Sequence, residues 1–153
     1  WGFDFSALKH KFNEENLKNI WKDYADEIAN VANTGFYDIL GHPFNLRLFK
    51  NIPNKNDVDE LLEKTAKILK KNNMVADVNT GTLHRYPIKE ITPYPDFMEY
   101  VKKYDIPIIF SSDAHQPEHV GMKIEEAVEY VKKYRINEIV TFDKRKRVME
   151  NIG

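Results

Sequence analysis

Apolar residues recur along the chain at helical and at strand-like spacings, and the two patterns alternate. Between Leu17 and Val31 they recur every three or four residues, which predicts a first helix. We expect this helix to begin after Asn13, because Glu14 and Glu15 then lie in its first turn, where acidic side chains suit the helix dipole. The same spacing predicts three more helices, at 58–69 with a cap at Asn56, at 97–104 and at 124–134.

Short apolar runs separate these helices and predict strands at 36–40, 74–78, 108–110 and 139–142. Asp143 is expected to cap a last helix that carries the basic cluster at 144–147. Strands that alternate with helices at intervals of roughly 30 to 40 residues are typical of successive βα units. The pattern therefore predicts an α/β fold with a parallel sheet, either open or closed into a barrel.

Polar residues cluster where three of the predicted strands end, at 38–43, 77–81 and 111–115. The first two clusters lead into the stretches 45–56 and 80–95, which we expect to be long surface loops. The carboxyl ends of parallel strands meet at one edge of a sheet, and α/β folds place their active sites there. We therefore expect the three clusters to converge on a common site.

Asp113 and His115 are the strongest candidates for metal ligands. They alternate at the end of a strand, so both can face one ion, and imidazole nitrogen with carboxylate oxygen suits Zn²⁺, Mn²⁺ or Fe²⁺. A capping Asp and a surface His in a turn explain the same pair equally well. His42, in a Gly-His-Pro turn, is a further candidate, although a lone histidine is more often structural.

Five other residues are candidates for supporting roles. Arg85 and His84 follow the second polar cluster, and a guanidinium there can grip a phosphate with two hydrogen bonds. Asp77 and Asn79 alternate on the preceding strand and either face the site or cap a loop. His119 lies close to the third cluster and either supports the site or caps the next helix. For His84 and Arg85, the alternative is that they are solvent-exposed loop residues without a functional role.

Composition narrows the classes of protein that fit. The chain has 153 residues, a net charge of −1 and no cysteine, so disulfides and thiolate metal sites are excluded. The near-neutral charge, the lack of a long apolar run and the lack of a signal pattern argue against nucleic-acid and membrane partners and predict a cytoplasmic protein. No Gly-x-Ser-x-Gly elbow and no glycine-rich phosphate loop is present, which favours metal-activated water over a serine nucleophile.

Three motifs together resemble the PHP (polymerase and histidinol phosphatase) family. The run Phe-Tyr-Asp-Ile-Leu-Gly-His at 36–42 is similar to one family strand, and Asp-Val-Asn-Thr-Gly at 77–81 is similar to another. Ser-Asp-Ala-His at 112–115, followed by His-Val-Gly at 119–121, resembles the family signature that ends a third strand. Order and spacing are most similar to histidinol-phosphate phosphatases.

The resemblance implies part of a distorted (β/α)₇ barrel with a multinuclear site of Zn, Mn or Fe ions. By carry-over, His42, Asp113 and His115 are the metal ligands in this chain, and Asp113 and His115 are catalytic. The implied reaction is hydrolysis of a small phosphate ester, L-histidinol phosphate, in histidine biosynthesis. Two departures are Pro43-Phe44, where the family has an Asp, and Asp77, where it has Glu.

The family's opening His-x-His motif is absent, and a complete eight-unit barrel needs about 250 residues. We therefore expect 1–153 to be a single domain that forms the C-terminal portion of a PHP barrel whose N-terminal portion is missing. Such a portion exposes sheet edges, so we expect it to pair with the missing segment or with itself and to be inactive alone. Two alternatives stay open: a PHP-type phosphoesterase acting on nucleotides or nucleic acid, and a catalytically inactive PHP-like module.

Overall fold

The computed structural model describes residues 2–3, 5–13 and 16–153. Within them, the α-helices are α1 (Leu17–Asn33), α2 (Lys55–Lys71), α3 (Thr82–Arg85), α4 (Pro95–Lys103) and α5 (Ile124–Lys132). The strands are β1 (Ile39–Leu40), β2 (Val75–Asn79), β3 (Ile108–Ser111), β4 (Glu138–Asp143) and β5 (Lys146–Asn151). Short 3-10 helices cover Ser6–Lys11, Asn45–Phe49 and Pro117–His119. The predicted positions of Glu14 and Glu15 lie outside the described residues.

A parallel sheet in the order β1-β2-β3 forms the centre of the fold. Leu40 pairs with Ala76, and Asn79 pairs with Ser111, so the strands run in register towards one carboxyl edge. Every residue of β2 is buried, as expected for the middle strand of a parallel sheet that is covered on both faces. The α/β class predicted from the sequence is therefore confirmed for this part of the chain.

Helix α2 shows how the apolar pattern becomes the core. The residues predicted to share one face are all buried: Val58, Leu61, Leu62, Ala66 and Leu69. The helix begins two residues earlier than expected, because Asn54 rather than Asn56 is the cap and its side chain accepts a hydrogen bond from the Asp57 backbone N–H. Among the helices of the described ranges, none has the length and apolar character needed to cross a membrane.

The predicted last helix is wrong, and so is the expectation that the strands are all parallel. Strands β4 and β5 form an antiparallel hairpin in a separate two-stranded sheet. Lys144 and Arg145 connect them with φ values of 47° and 68°, the left-handed backbone that a two-residue turn between twisted strands requires. Arg147 on β5 donates from Nη1 to the Asn73 side-chain oxygen at 3.0 Å, which attaches the hairpin to the rest of the fold. Lys144 and Arg145 thus form a turn, and Lys146 and Arg147 begin β5, so the basic cluster does not end a helix.

The stretch at 45–56 is not a surface loop over its first half. Asn45–Phe49 forms a 3-10 helix whose first four residues are buried. Arg47 is 6% exposed, and its guanidinium binds the Asp96 carboxylate through two hydrogen bonds of 2.9 and 2.7 Å. In the stretch at 80–95, Thr80, Thr82 and Thr92 are also buried, so neither stretch is the solvated loop that its composition predicts.

Strand β1 is shorter than the apolar run that predicts it. The run at 36–40 contributes only Ile39–Leu40 to the sheet. Phe36 and Tyr37 precede the strand with exposed fractions of 78% and 60%. The edge of the sheet at β1 therefore carries exposed aromatic side chains within the described residues.

Phe44 connects the turn after β1 with the aromatic core. Its ring lies 5.8 Å from that of Trp21 and 5.0 Å from that of Phe97, measured between centroids. Its backbone is left-handed (φ 64°), and its N–H donates to the Tyr24 hydroxyl at 2.9 Å. The Tyr24 hydroxyl thus accepts a hydrogen bond from the Phe44 backbone N–H, which has no partner within a helix or strand.

Replacing Tyr24 with phenylalanine should therefore lower the free energy of unfolding by about 1 to 2 kcal/mol, since a buried amide loses its acceptor. Denaturant unfolding of the variant measures the loss. Tyr37→Phe removes a hydroxyl from a side chain that is 60% exposed, and it should change stability by less than about 0.5 kcal/mol. Equal stabilities of the two variants would contradict the role given to the Tyr24 hydroxyl.

Candidate functional site

The carboxyl edge of the parallel sheet brings the three polar clusters together, as expected. His42 follows β1, and Asp113 follows β3. Asp77 and Asn79 lie in the C-terminal half of β2. The convergence follows from the parallel register, in which all three strands reach the same edge. Hydrogen bonds between the clusters show that they form one polar site.

Asp77 is the buried carboxylate at the centre of this edge. It is 4% exposed, and its Oδ2 accepts hydrogen bonds from the His42 backbone N–H and from Asn79 Nδ2, both at 3.0 Å. Its Oδ1 is buried without a hydrogen-bond partner. A buried carboxylate oxygen of this kind is costly unless a cation or another donor satisfies it. The hydrogen bond from His42 shows that Asp77 caps the loop after β1, one of the two roles weighed from the sequence.

Asn79 connects the second and third clusters. Its Nδ2 also donates to Ser111 Oγ at 2.9 Å, and its Oδ1 accepts from the Gly81 N–H at 2.8 Å. The amide is 2% exposed. Its hydrogen bonds therefore fix the orientation of Asp77 relative to β3 and to the chain that follows β2.

Asp113 lies in the turn after β3 with a left-handed backbone (φ 48°). Arg85, the last residue of α3, donates from Nη1 to Asp113 Oδ2 and, at 3.3 Å, to the Asp113 carbonyl. His115 Nδ1 lies 2.8 Å from the same carbonyl and 3.9 Å from Asp113 Oδ1. The His115 side chain is 59% exposed, so its ring borders solvent beside a half-buried ion pair.

His84 and His119 form a separate pair on one side of this ion pair. Their ring centroids are 4.7 Å apart with the planes tilted by 59°. Burial, followed by the nearby His119 and the positive charge of Arg85, lowers the pKa of His84 below its usual value near 6.5. This shift favours the neutral form of the His84 imidazole.

The structure brings together most of the predicted residues, but not as one set of ligands. His42 contributes its backbone N–H to the cluster, through Asp77. Over residues 2–3, 5–13 and 16–153, no group of three or more His, Asp or Glu side chains is placed to hold one metal ion. The donor types nevertheless fit a divalent transition metal, and the partnerless Asp77 Oδ1 supports a cation at this edge.

Gly81 is the residue of the site that reasoning from the sequence missed. A Cβ at this position would lie 2.6 Å from Asp113 Cβ and 2.9 Å from Asn79 Oδ1. Only a glycine permits this approach of the second cluster to the third. The signal was present in the sequence, since Gly81 ends the Asp-Val-Asn-Thr-Gly motif, but its role depends on the distant Asp113.

Ser111 and Ser112, the serines that precede Asp113, have structural hydrogen-bond partners. Ser111 Oγ accepts the hydrogen bond from Asn79, and Ser112 Oγ accepts one from the Gly121 N–H at 3.0 Å. Thr80 Oγ1 donates to the Met122 carbonyl at 2.6 Å. These contacts attach the segment at 117–123 to the carboxyl edge of the sheet.

Comparisons with known proteins find similarity to a PHP-associated family and to proteins named probable histidinol-phosphatase. The model of the PHP-associated family matches residues 97–123, which include most of α4, all of β3 and the Ser-Asp-Ala-His motif. A protein of Deinococcus radiodurans named probable histidinol-phosphatase is 29% identical over 146 residues, which are 95% of this chain and 54% of that protein. A protein of Thermotoga maritima with the same name is 28% identical over 152 residues, 96% of this chain and 63% of that protein.

These matches confirm the resemblance to the PHP family that the three motifs predict. The similarity to the two probable histidinol-phosphatases covers nearly the whole chain, whereas the chain spans only about half to three fifths of their length. The polar edge of the sheet therefore lies in the part of the chain that these relatives share with it.

Proposed function

We propose that the chain contributes to metal-dependent hydrolysis of a phosphomonoester, L-histidinol phosphate, in histidine biosynthesis. The observation that carries the proposal is the convergence of three polar clusters at one sheet edge around a buried carboxylate oxygen without a partner. The names of the two curated relatives support the choice of substrate. The cytoplasmic location expected from the sequence stays a prediction.

In this proposal His42, Asp113 and His115 hold divalent Zn, Mn or Fe ions, as part of a multinuclear site. Bound cations of this kind lower the pKa of a coordinated water and neutralise charge on phosphoryl oxygens. Asp77 and Asn79 position these ligands without binding the ions, since their hydrogen bonds orient the turn of His42 and the end of β3. His119 packs against His84 and helps to shape the side of the site.

Arg85 and His84 are the proposed phosphate-binding residues, with different roles. Arg85 supplies positive charge and two N–H donors in a plane, which suit phosphate oxygens. The lowered pKa of His84 favours its neutral form, which offers a hydrogen bond and no charge. Electrostatic attraction for the substrate at neutral pH would thus come from Arg85 and the metal ions.

We also propose that the three-stranded sheet is part of a distorted (β/α)₇ barrel completed by a segment like the one that the curated relatives have beyond the matched part. The exposed Phe36 and Tyr37 beside β1 support an additional strand or a second copy at this edge. Such a segment would supply the remaining metal ligands. The chain alone should then bind metal weakly and show little phosphatase activity.

A catalytically inactive PHP-like module is the second candidate, and one contact favours it. The Asp113 carboxylate, proposed as a metal ligand, is engaged by Arg85, and the family's Asp after the Gly-His turn is replaced by Phe44. A protein that had lost its metal would keep such an ion pair for stability. Metal content separates the two candidates.

Elemental analysis of the chain at dialysis equilibrium with excess Zn²⁺, Mn²⁺ or Fe²⁺, where weak binding is retained, should show bound metal that falls at least about tenfold in Asp113→Ala and His115→Ala, since each removes a direct ligand. His10→Ala, which changes an exposed histidine in the 3-10 helix Ser6–Lys11, is the matched control and should keep the wild-type content. Extending the chain with the segment of its relatives should then give hydrolysis of histidinol phosphate. Metal content at background in every variant, or equal in Asp113→Ala and His10→Ala, contradicts the proposal.

A further inference from the structure

We propose that Arg85 and a divalent metal ion compete for the Asp113 carboxylate, so that Arg85 controls when the site takes up metal. The inference rests on the proposed function and adds a regulatory role for one of its residues. In the structure, Arg85 holds Asp113 Oδ2 and the Asp113 carbonyl at once. The guanidinium thus occupies the place of a cation beside the candidate metal ligand.

The position of Arg85 is built into the fold. Helix α3 starts directly after Gly81, whose missing side chain lets it approach Asp113. Arg85 ends this helix, and its guanidinium carbon lies 5.2 Å from the ring centre of Tyr86. The side chains of Arg85 and Asp113 are 22% and 21% exposed, so the pair is shielded from most of the solvent. Shielding strengthens the attraction relative to a surface pair.

Competition follows from the small number of oxygens that Asp113 offers. Oδ2 is taken by Arg85, while Oδ1 lies 3.9 Å from His115 Nδ1, the other candidate ligand. A metal ion bound by Asp113 and His115 would lie within a few ångströms of the guanidinium, and two cations so close repel each other. The ion and Arg85 therefore oppose each other at Asp113.

Metal binding is therefore coupled to opening of the Arg85–Asp113 ion pair. Metal binds more tightly to the molecules in which Arg85 has left Asp113, so the ion pair weakens the observed metal affinity. By linkage, bound metal drives Arg85 away from Asp113 to the same degree. Removal of Arg85 should then tighten metal binding, the opposite of what loss of a site residue usually does.

Calorimetric titration of the chain with Zn²⁺ and with Mn²⁺ tests this directly. Arg85→Gln should bind about tenfold more tightly than the wild type, the gain expected when one charge-assisted competitor is removed. Arg85→Lys keeps a cation beside Asp113 and should stay close to the wild type. Arg145→Gln removes a charge from the exposed hairpin turn and should change nothing.

The outcomes separate the inference from the function on which it rests. Metal binding that is equal or weaker in Arg85→Gln overturns the competition while leaving the metal site in place. Absence of binding in the wild type and in Arg85→Gln overturns both. Loss of the tighter binding in the double variant Arg85→Gln with Asp113→Asn would show that the gain depends on the shared carboxylate.

A second measurement follows Arg85 itself. In nitrogen-labelled protein the side-chain Nε–Hε signal of Arg85, assigned by its absence in Arg85→Gln, should shift in proportion to metal occupancy as the ion pair opens. The Arg47 signal is an internal reference, because that guanidinium is held by two hydrogen bonds to Asp96 and not by Asp113. An Arg85 signal that stays fixed while calorimetry reports binding overturns the inference.

Discussion

Replacing Asp96 with alanine should lower the free energy of unfolding by about 3 kcal/mol, because the Arg47 charge is then buried without its partner. Arg47 is 6% exposed and binds both carboxylate oxygens of Asp96. Its guanidinium carbon also lies 5.2 Å from the ring centre of Trp21 and 4.8 Å from that of Tyr94. The rings hold the cation in the core but cannot replace the counter-charge. The Asp96 side chain is 39% exposed, so water limits the loss to the lower end of the range for buried pairs.

Two control variants separate the charge effect from lost contacts. Arg47→Met removes the charge and keeps an apolar stem between the rings, so it should cost less than Asp96→Ala. Asp59→Ala removes a carboxylate whose partner, Lys55, is 83% exposed, and it should change stability by less than about 0.5 kcal/mol. Unfolding in guanidinium chloride, with an unchanged m-value, gives the three differences in the free energy of unfolding. An Asp96→Ala variant as stable as Asp59→Ala would show that Arg47 finds water or another acceptor.

The spacing of apolar and polar residues along the chain was sufficient to predict the helix faces and the strand ends. The apolar face of α2 and the polar residues after β1, β2 and β3 could be read from spacing alone, because periodicity decides which side chains face a core. Convergence of the three polar clusters needed only the rule that parallel strands end at one edge. Fold class and the neighbourhood of the site were accessible for this reason.

Long-range contacts decide the features that could not be predicted. The hairpin of β4 and β5 depends on a positive-φ turn formed by Lys144 and Arg145, residues whose composition favours a helix end. Burial of Arg47 depends on Asp96, which is 49 residues away in sequence, and the partner of Asp113 is Arg85, 28 residues away. Spacing along the chain carries no record of such pairs. The Arg47–Asp96 and Arg85–Asp113 ion pairs were therefore invisible in the sequence.

Gly81→Ala should lower the free energy of unfolding by about 2 kcal/mol, the usual cost of forcing an extra methyl group into a packed site. The backbone itself favours alanine: φ at Gly81 is −56°, and a compatible Gly→Ala change normally stabilises by about 0.4 to 1 kcal/mol. The sign is decided by Asp113 Cβ, which would lie 2.6 Å from the new methyl group. This atom is fixed to the backbone and cannot turn away as the end of a flexible side chain can.

A second change can remove the obstacle and so test the cause. Asp113→Gly deletes the opposing Cβ at a position whose φ of 48° suits glycine. In that background Gly81→Ala should lose at least half of its cost, with the remaining part due to Asn79 Oδ1 at 2.9 Å. Gly41→Ala is the matched control, since no atom lies within 4 Å of the added Cβ. A Gly81→Ala variant that unfolds like Gly41→Ala would mean that the second and third polar clusters are farther apart than the site requires. Calorimetric metal binding should then also be insensitive to the substitution, because Asp113 would not depend on this close approach for its position.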